Sequence, residues 1–188
     1  MAKTDLDLLF LYDGDMDWLS RSAGRLDADL AIAVKGGIKG LKKLFDQFLA
    51  EGKTFKRVMF ETHGYPGMIF FGDEKGNCQI DSDALTASFA GYDALFPNQT
   101  RMYFAGCNVA DEDAGWGFLE TAGKTFFKRS GGTTFGWTSS GFAIGSNLFG
   151  LLSPISLLRN AGRVWHAWGD ARYVWVGPGG SPVLRYTK

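Results

Sequence analysis

Phe55-Lys-Arg-Val-Met-Phe-Glu-Thr-His-Gly64 is the stretch on which the fold turns. Residues 55–61 form an apolar, partly β-branched run, the pattern of a strand buried in a sheet, and Thr62-His63-Gly64 sits directly at its carboxyl end. Arg101-Met-Tyr-Phe-Ala-Gly-Cys107 follows the same plan, an apolar strand ending in glycine and then cysteine. Between the two, Gly67 to Ile80 reads as a hairpin, because Met-Ile-Phe-Phe and Cys-Gln-Ile flank the turn-forming residues 72–77. Asp81 or Ser82 then caps a helix carrying Leu85, Phe89 and Leu95.

The same alternation continues outward in both directions. Leu6 to Tyr12 is a short apolar run stopped by Asp13-Gly14-Asp15, as a buried strand followed by a turn would be. From Ile38 the residues Leu41, Leu44, Phe45, Phe48 and Leu49 recur at helical spacing, and Gly52 supplies the stop. A further helix spans about Gly115 to Phe127, a fourth strand Thr133 to Thr138, and Val164 to Trp168 and Tyr173 to Val176 suggest extra strands or a hairpin at the edge. Buried strands joined by helices predict an α/β fold with a mostly parallel central sheet and helices on both faces, since parallel pairing requires long crossovers. With no repeat, low-complexity tract or linker to divide it, the chain is expected to be one domain over 1–188. Its motif-bearing core is about 6–140, with a carboxyl-terminal extension over 141–188.

The bulk numbers narrow the function classes. A chain of 188 residues, 45% hydrophobic and 15% aromatic, can bury a sizeable core. Twenty basic residues balance twenty acidic ones, so no large positive field recruits nucleic acid or an anionic membrane. The start, Met1-Ala-Lys-Thr-Asp5, lacks a secretory pattern and no apolar run reaches spanning length, which predicts a cytoplasmic location with no integral membrane segment. Cys78 and Cys107 are the only cysteines, too few for a disulfide framework and without zinc spacing. No cofactor and no metal are expected, because there is neither a compact carboxylate loop nor a phosphate-cradling glycine motif.

In sheets of this kind ligands bind outside the carboxyl ends of the strands, and Asp13, Asp15, His63 and Cys107 all fall at such ends. A cysteine nucleophile needs a partner that favours its thiolate and backbone N–H groups that stabilise an oxyanion. His63 and Cys107, 44 positions apart, would meet if their strands were neighbours. Gly64 permits close backbone approach and a tight turn, so its N–H and that of Cys107 are the natural oxyanion donors. The bland reading makes Cys107 a small core residue and His63 a structural one. Cys78 and His166 carry no comparable context.

The two blocks resemble those of the caspase-like cysteine peptidases (clan CD), the group that includes caspases, metacaspases, clostripain, gingipains and toxin autoprocessing domains. More narrowly, His63-Gly64 with Gly67, then Gly106-Cys-Asn-Val-Ala110 and Gly117-Phe-Leu119, is similar to a bacterial caspase-like domain family found in large surface and repeat proteins. The resemblance covers about Leu6 to Ser140. It implies a caspase-like three-layer sandwich, peptide-bond hydrolysis by Cys107 with His63 as base or proton donor, and a polypeptide substrate. Asp13 or Asp15 falls where several relatives that cut after Arg or Lys carry an acidic selector. Thr138 and Ser139 follow the strand on which relatives pair a substrate segment. Residues 141–188 match no segment of the group, and no processing linker is present. A non-catalytic binding or regulatory module on the same fold, and a small-molecule hydrolase using the same dyad, are the rival readings. The oligomeric state is open, with the aromatic tail from Trp165 to Trp175 an interface candidate.

Overall fold

The structure is a computed structural model that describes residues 4–14, 28–72, 78–97, 99–143, 164–166 and 170–188. Strand β1 (Asp5–Asp13) shows why the sheet is parallel. Its first residues alternate, with Asp5 and Asp7 exposed around buried Leu6, and from Leu8 to Asp13 every residue is buried, as on a strand covered on both faces. On one side it pairs in parallel with β2 (Leu30–Val34) and on the other with β3 (Thr54–Glu61). Strand β3 pairs in parallel with β7 (Thr100–Phe104), and β7 with β8 (Gly132–Trp137). Two antiparallel strands, β11 (Ala171–Val176) and β12 (Val183–Thr187), finish that edge. The seven-stranded order is β12-β11-β8-β7-β3-β1-β2, a mostly parallel sheet in an α/β arrangement consistent with a three-layer sandwich.

Among the described residues three helices make crossovers. They are α1 (Gly37–Ala50) between β2 and β3, α2 (Ser82–Phe89) between β3 and β7, and α3 (Glu112–Phe126) between β7 and β8. Their apolar faces meet over one side of the sheet: Leu41, Phe45 and Phe48, Leu85 and Phe89, and Phe118, Leu119 and Phe126 share a cluster with Leu9, Val58, Phe60 and Phe104. Phe45 stands at its centre, its ring centroid 5.3 Å from Tyr92 and 5.9 Å from Phe96. Burial of each such side chain stabilises by about 1.5–3 kcal/mol. On the opposite side Leu8, Phe10, Tyr12, Met59, Tyr103, Phe135 and Trp137 form a second buried cluster. Among the described residues, no helix residue belongs to that cluster.

Most expected elements are present, with instructive differences. The helix capped by Asp81, whose Oδ1 accepts the Ala84 N–H at 2.8 Å, ends at Phe89. Gly91 then takes φ 99°, and Leu95 falls in a separate 3-10 turn, Tyr92–Leu95, pinned to α1 by a 2.6 Å hydrogen bond from the Tyr92 hydroxyl to Asp46. The hairpin gains a strand: β4 (His63–Tyr65), β5 (Met68–Phe70) and β6 (Gln79–Ile80) form a three-stranded ribbon. Its turn residues 73–77 lie outside the described residues. Val164–His166 is a strand, β10, but it pairs with β9 (Gly141–Ala143) away from the main sheet. Residues 144–163 and Trp168 are outside the described residues.

The chain winds from β1 outward to β2 and returns past β1 to β3. The carboxyl ends of β1 and β3 therefore flank the place where the winding direction reverses, which in open α/β sheets is where a crevice forms, and that of β7 lies next to β3.

Candidate functional site

Two neighbouring strand ends build the site. The ladder between β3 and β7 runs through Phe60↔Phe104 and continues one step further, the Ala105 N–H donating to the Phe60 carbonyl at 2.9 Å. Beyond that rung β3 releases Thr62 and re-enters extended structure as β4, while β7 releases Gly106 and turns through residues 107–110. His63 is exposed and Cys107 half-buried. Strand β4 is held from outside as well, by antiparallel pairing of His63 with Phe70 and Gly64 with Ile69.

The two ends touch backbone to backbone. A Cβ added to Gly106 would stand 3.1 Å from the Gly64 Cα and 3.1 Å from the His63 carbonyl oxygen. One added to Gly64 would stand 2.4 Å from the Val109 Cγ2 and 2.9 Å from the Cys107 carbonyl oxygen. Each distance is below ordinary contact, so glycine at both positions is what lets the His63 and Cys107 segments lie side by side. Sequence reasoning assigned Gly64 close backbone approach and a tight turn, and the close approach is what these distances describe. The peptides of Gly64 and Cys107, the expected oxyanion donors, belong to this same junction.

The loop after Cys107 is tied down on several sides. The Asn108 N–H donates to the Ser139 carbonyl at 2.9 Å, the Ala110 N–H to the Trp137 carbonyl at 2.9 Å, and the Gly67 N–H to the Val109 carbonyl at 3.1 Å. Asn108 itself sits at φ 55°, a left-handed conformation that asparagine tolerates better than most residues. Asp111 then caps α3, its Oδ1 accepting the Glu112 N–H at 2.9 Å.

The remaining expected residues divide. Ser139 joins the site through its carbonyl, as above. Thr138 faces the segment entering β11: its Oγ1 accepts the Asp170 N–H at 2.8 Å and its N–H donates to the Asp170 carbonyl at 3.1 Å. Asp13 ends β1 at the same side of the sheet, fully buried, and its Oδ2 accepts the Gly72 N–H at 2.9 Å, tying the ribbon to the sheet. Asp15 lies outside the described residues. Also at this end, Glu61 and Thr62 are each 3% exposed, and the Thr62 Oγ1 has no hydrogen-bond partner among the described residues.

One residue that sequence reasoning did not place at the site reaches the loop from far along the chain. Arg172, on β11, donates from Nη1 to the carbonyls of Ala110 and Glu112, both at 2.7 Å. Nothing local to Arg172 signals this; only the antiparallel register of β11 on β8 creates it. Among the described residues no group of three or more His, Cys, Asp or Glu is arranged to hold a metal ion, and no helix is long and apolar enough to cross a membrane. No family model, no curated protein and no solved structure matches the chain.

Proposed function

We propose that this chain is a cysteine endopeptidase of the caspase-like kind, with Cys107 as nucleophile, His63 as its proton partner, a polypeptide as substrate and the cytoplasm as its compartment. The observation that carries the reading is the glycine-on-glycine contact that joins the segment of His63 to that of Cys107 at the carboxyl ends of adjacent parallel strands.

In this mechanism the Cys107 thiol gives its proton to His63 and the thiolate sulfur bonds to the scissile carbonyl carbon, moving the π electrons onto oxygen. N–H donors of the Gly64–Cys107 junction stabilise that oxyanion. Collapse breaks the C–N bond, and the leaving amine takes the proton from His63. Water, deprotonated by His63, then cleaves the thioester and returns the thiol. The preference for Arg or Lys before the cut rests on the acidic Asp13 at the neighbouring strand end. Its bond to Gly72 makes it equally a strut.

The test is turnover of fluorogenic peptides with Arg, Lys, Asp or Leu before the reporter, using wild type, Cys107→Ala and His63→Ala. Cys107→Ala is expected to abolish turnover and His63→Ala to lower it by about 10²–10⁴. Turnover surviving in Cys107→Ala would overturn the reading. No turnover at all, with Cys107 alkylating no faster than a thiol in an unstructured peptide, would favour a non-catalytic binding module; ester turnover without peptide cleavage would favour a small-molecule hydrolase.

A further inference from the structure

The carboxyl-terminal strand pair does more than finish the sheet. Arg172 pairs in the antiparallel register with Gly136 on β8, so the two occupy the same side of the sheet. With no side chain at 136, the space beside the arginine is filled by Ala110: a Cβ on Gly136 would come 3.1 Å from the Ala110 Cβ. Gly115, on the first turn of α3, clears the other flank, where a Cβ would fall 2.1 Å from the Ala110 carbonyl carbon. Two glycines thus make a slot for one peptide, and that peptide lies three residues after Cys107.

The slot is locked at both ends. The Ala110 N–H is held by the Trp137 carbonyl at 2.9 Å, and its carbonyl by Arg172 Nη1 at 2.7 Å. The same nitrogen takes the Glu112 carbonyl at 2.7 Å, bridging the loop to the start of α3. The guanidinium carbon stands 4.8 Å from the ring centre of Trp116, which fixes the plane of the fork. Beside these anchors the backbone holds two non-glycine residues at positive φ, Asn108 at 55° and Glu112 at 55°. Such conformations persist only where the surroundings over-determine them, and a charged donor on two carbonyls supplies that constraint.

We propose that Arg172 is the positioning residue for Cys107: it clamps the loop over 107–112, so that the thiol is presented at the strand ends beside His63. The benefit to catalysis rests on the peptidase reading; the clamp itself does not. Arg172 touches neither reacting group, and acts through the Ala110 and Glu112 carbonyls.

The experiment uses the full chain carrying Cys78→Ser, so that one thiol reports, with Arg172, Arg172→Met and Arg172→Lys compared. Hydrogen exchange of amides 107–112, the rate of Cys107 alkylation by iodoacetamide at fixed pH, and kcat and KM on the best fluorogenic peptide are measured. In Arg172→Met, which fills the volume without donating, exchange over 107–112 rises at least tenfold while β1 and β3 keep their protection. The alkylation rate changes by a comparable factor, and kcat falls about a hundredfold at nearly constant KM, the cost of a misplaced reacting group. Arg172→Lys falls between. Unchanged exchange and alkylation in Arg172→Met, or a loss of thermal stability alone, overturns the proposal. A wild type without turnover defeats the peptidase reading, while the exchange and alkylation arms still decide the clamp.

Discussion

At the scale of single residues, the site depends on side chains that are absent. Gly64 and Gly106 face each other across the β3–β7 junction with the Val109 methyl and then backbone as the obstructing neighbours, and the backbone cannot swing aside as a flexible side chain can. Gly64→Ala is therefore expected to destabilise by about 1–3 kcal/mol through overpacking and to lower turnover beyond what the stability loss explains. Gly117 gives the contrast, since it lies within α3 and a Cβ there meets nothing within 4 Å. Gly117→Ala should stabilise by about 0.5–1 kcal/mol through helix propensity, with turnover unchanged. Urea unfolding of both variants beside the peptide assay reads the two effects, and a Gly64→Ala protein as stable and active as wild type would remove the close-approach argument. The strand-end positions of His63 and Cys107 were legible because each follows an apolar run directly. Arg172 was not, because its partners lie 62 and 60 residues away and the pairing exists only once β11 has registered on β8.

At the scale of elements, legibility followed burial. Strands β1, β3 and β7 announce themselves as apolar runs because both of their faces are covered, and α1 because its apolar stripe recurs at helical spacing. Strand β2 (Leu-Ala-Ile-Ala-Val) escaped notice because it is a short edge strand, only partly buried before Val34 and rich in alanine. Strand β12 escaped for a related reason: as the other edge it buries little, so no alternation marks it. The break after α2 was equally hidden, since Leu95 continues the apolar pattern while Gly91 redirects the chain. That 3-10 turn is held through Tyr92, whose pKa is pushed up to about 12 by burial and by its hydrogen bond to Asp46. The unfolded chain releases this proton near pH 10, so between there and about 12 the unfolded form loses its proton first and stability falls as pH rises. Tyr92→Phe should cost about 1 kcal/mol at pH 8, where the hydrogen bond is intact. The gap to wild type should narrow by pH 11, with Tyr103 and Tyr173, also raised by burial, leaving a shallower alkaline decline in both proteins. Urea midpoints at the two pH values measure this, and a gap that stays constant would mean the turn is not held through that hydroxyl.

At the scale of the whole molecule, the five parallel strands from Asp5 to Trp137 carry His63 and Cys107, while the antiparallel pair from Ala171 to Thr187 carries the arginine that reaches the loop between them and α3. That division predicts which part of the fold presents the thiol and which part stiffens it. Strand β12 holds β11 in place by their antiparallel ladder, by reciprocal 2.9 Å bonds between Ala171 and Lys188, and by Arg185, which meets Glu120 at 2.8 Å and stands 5.5 Å from the Trp116 ring centre. The ion pair is solvent-accessible and contributes less than about 1 kcal/mol, so the ladder and the packing of Val183 provide most of the hold. Deleting residues 181–188 should leave the parallel core folded, because the helices and both apolar clusters lie almost wholly within the earlier chain. It should remove roughly 2 kcal/mol, about 4–8 °C in Tm at this chain length. Because β11 then has a partner only on its β8 side, the Arg172 clamp loosens with it, and exchange over 107–112 should rise as it does in Arg172→Met. Thermal melts and hydrogen exchange on the deletion and on Arg172→Met together decide the matter: a lower Tm with the loop still protected would mean that β11 stands without β12, and that the clamp depends on β8 alone.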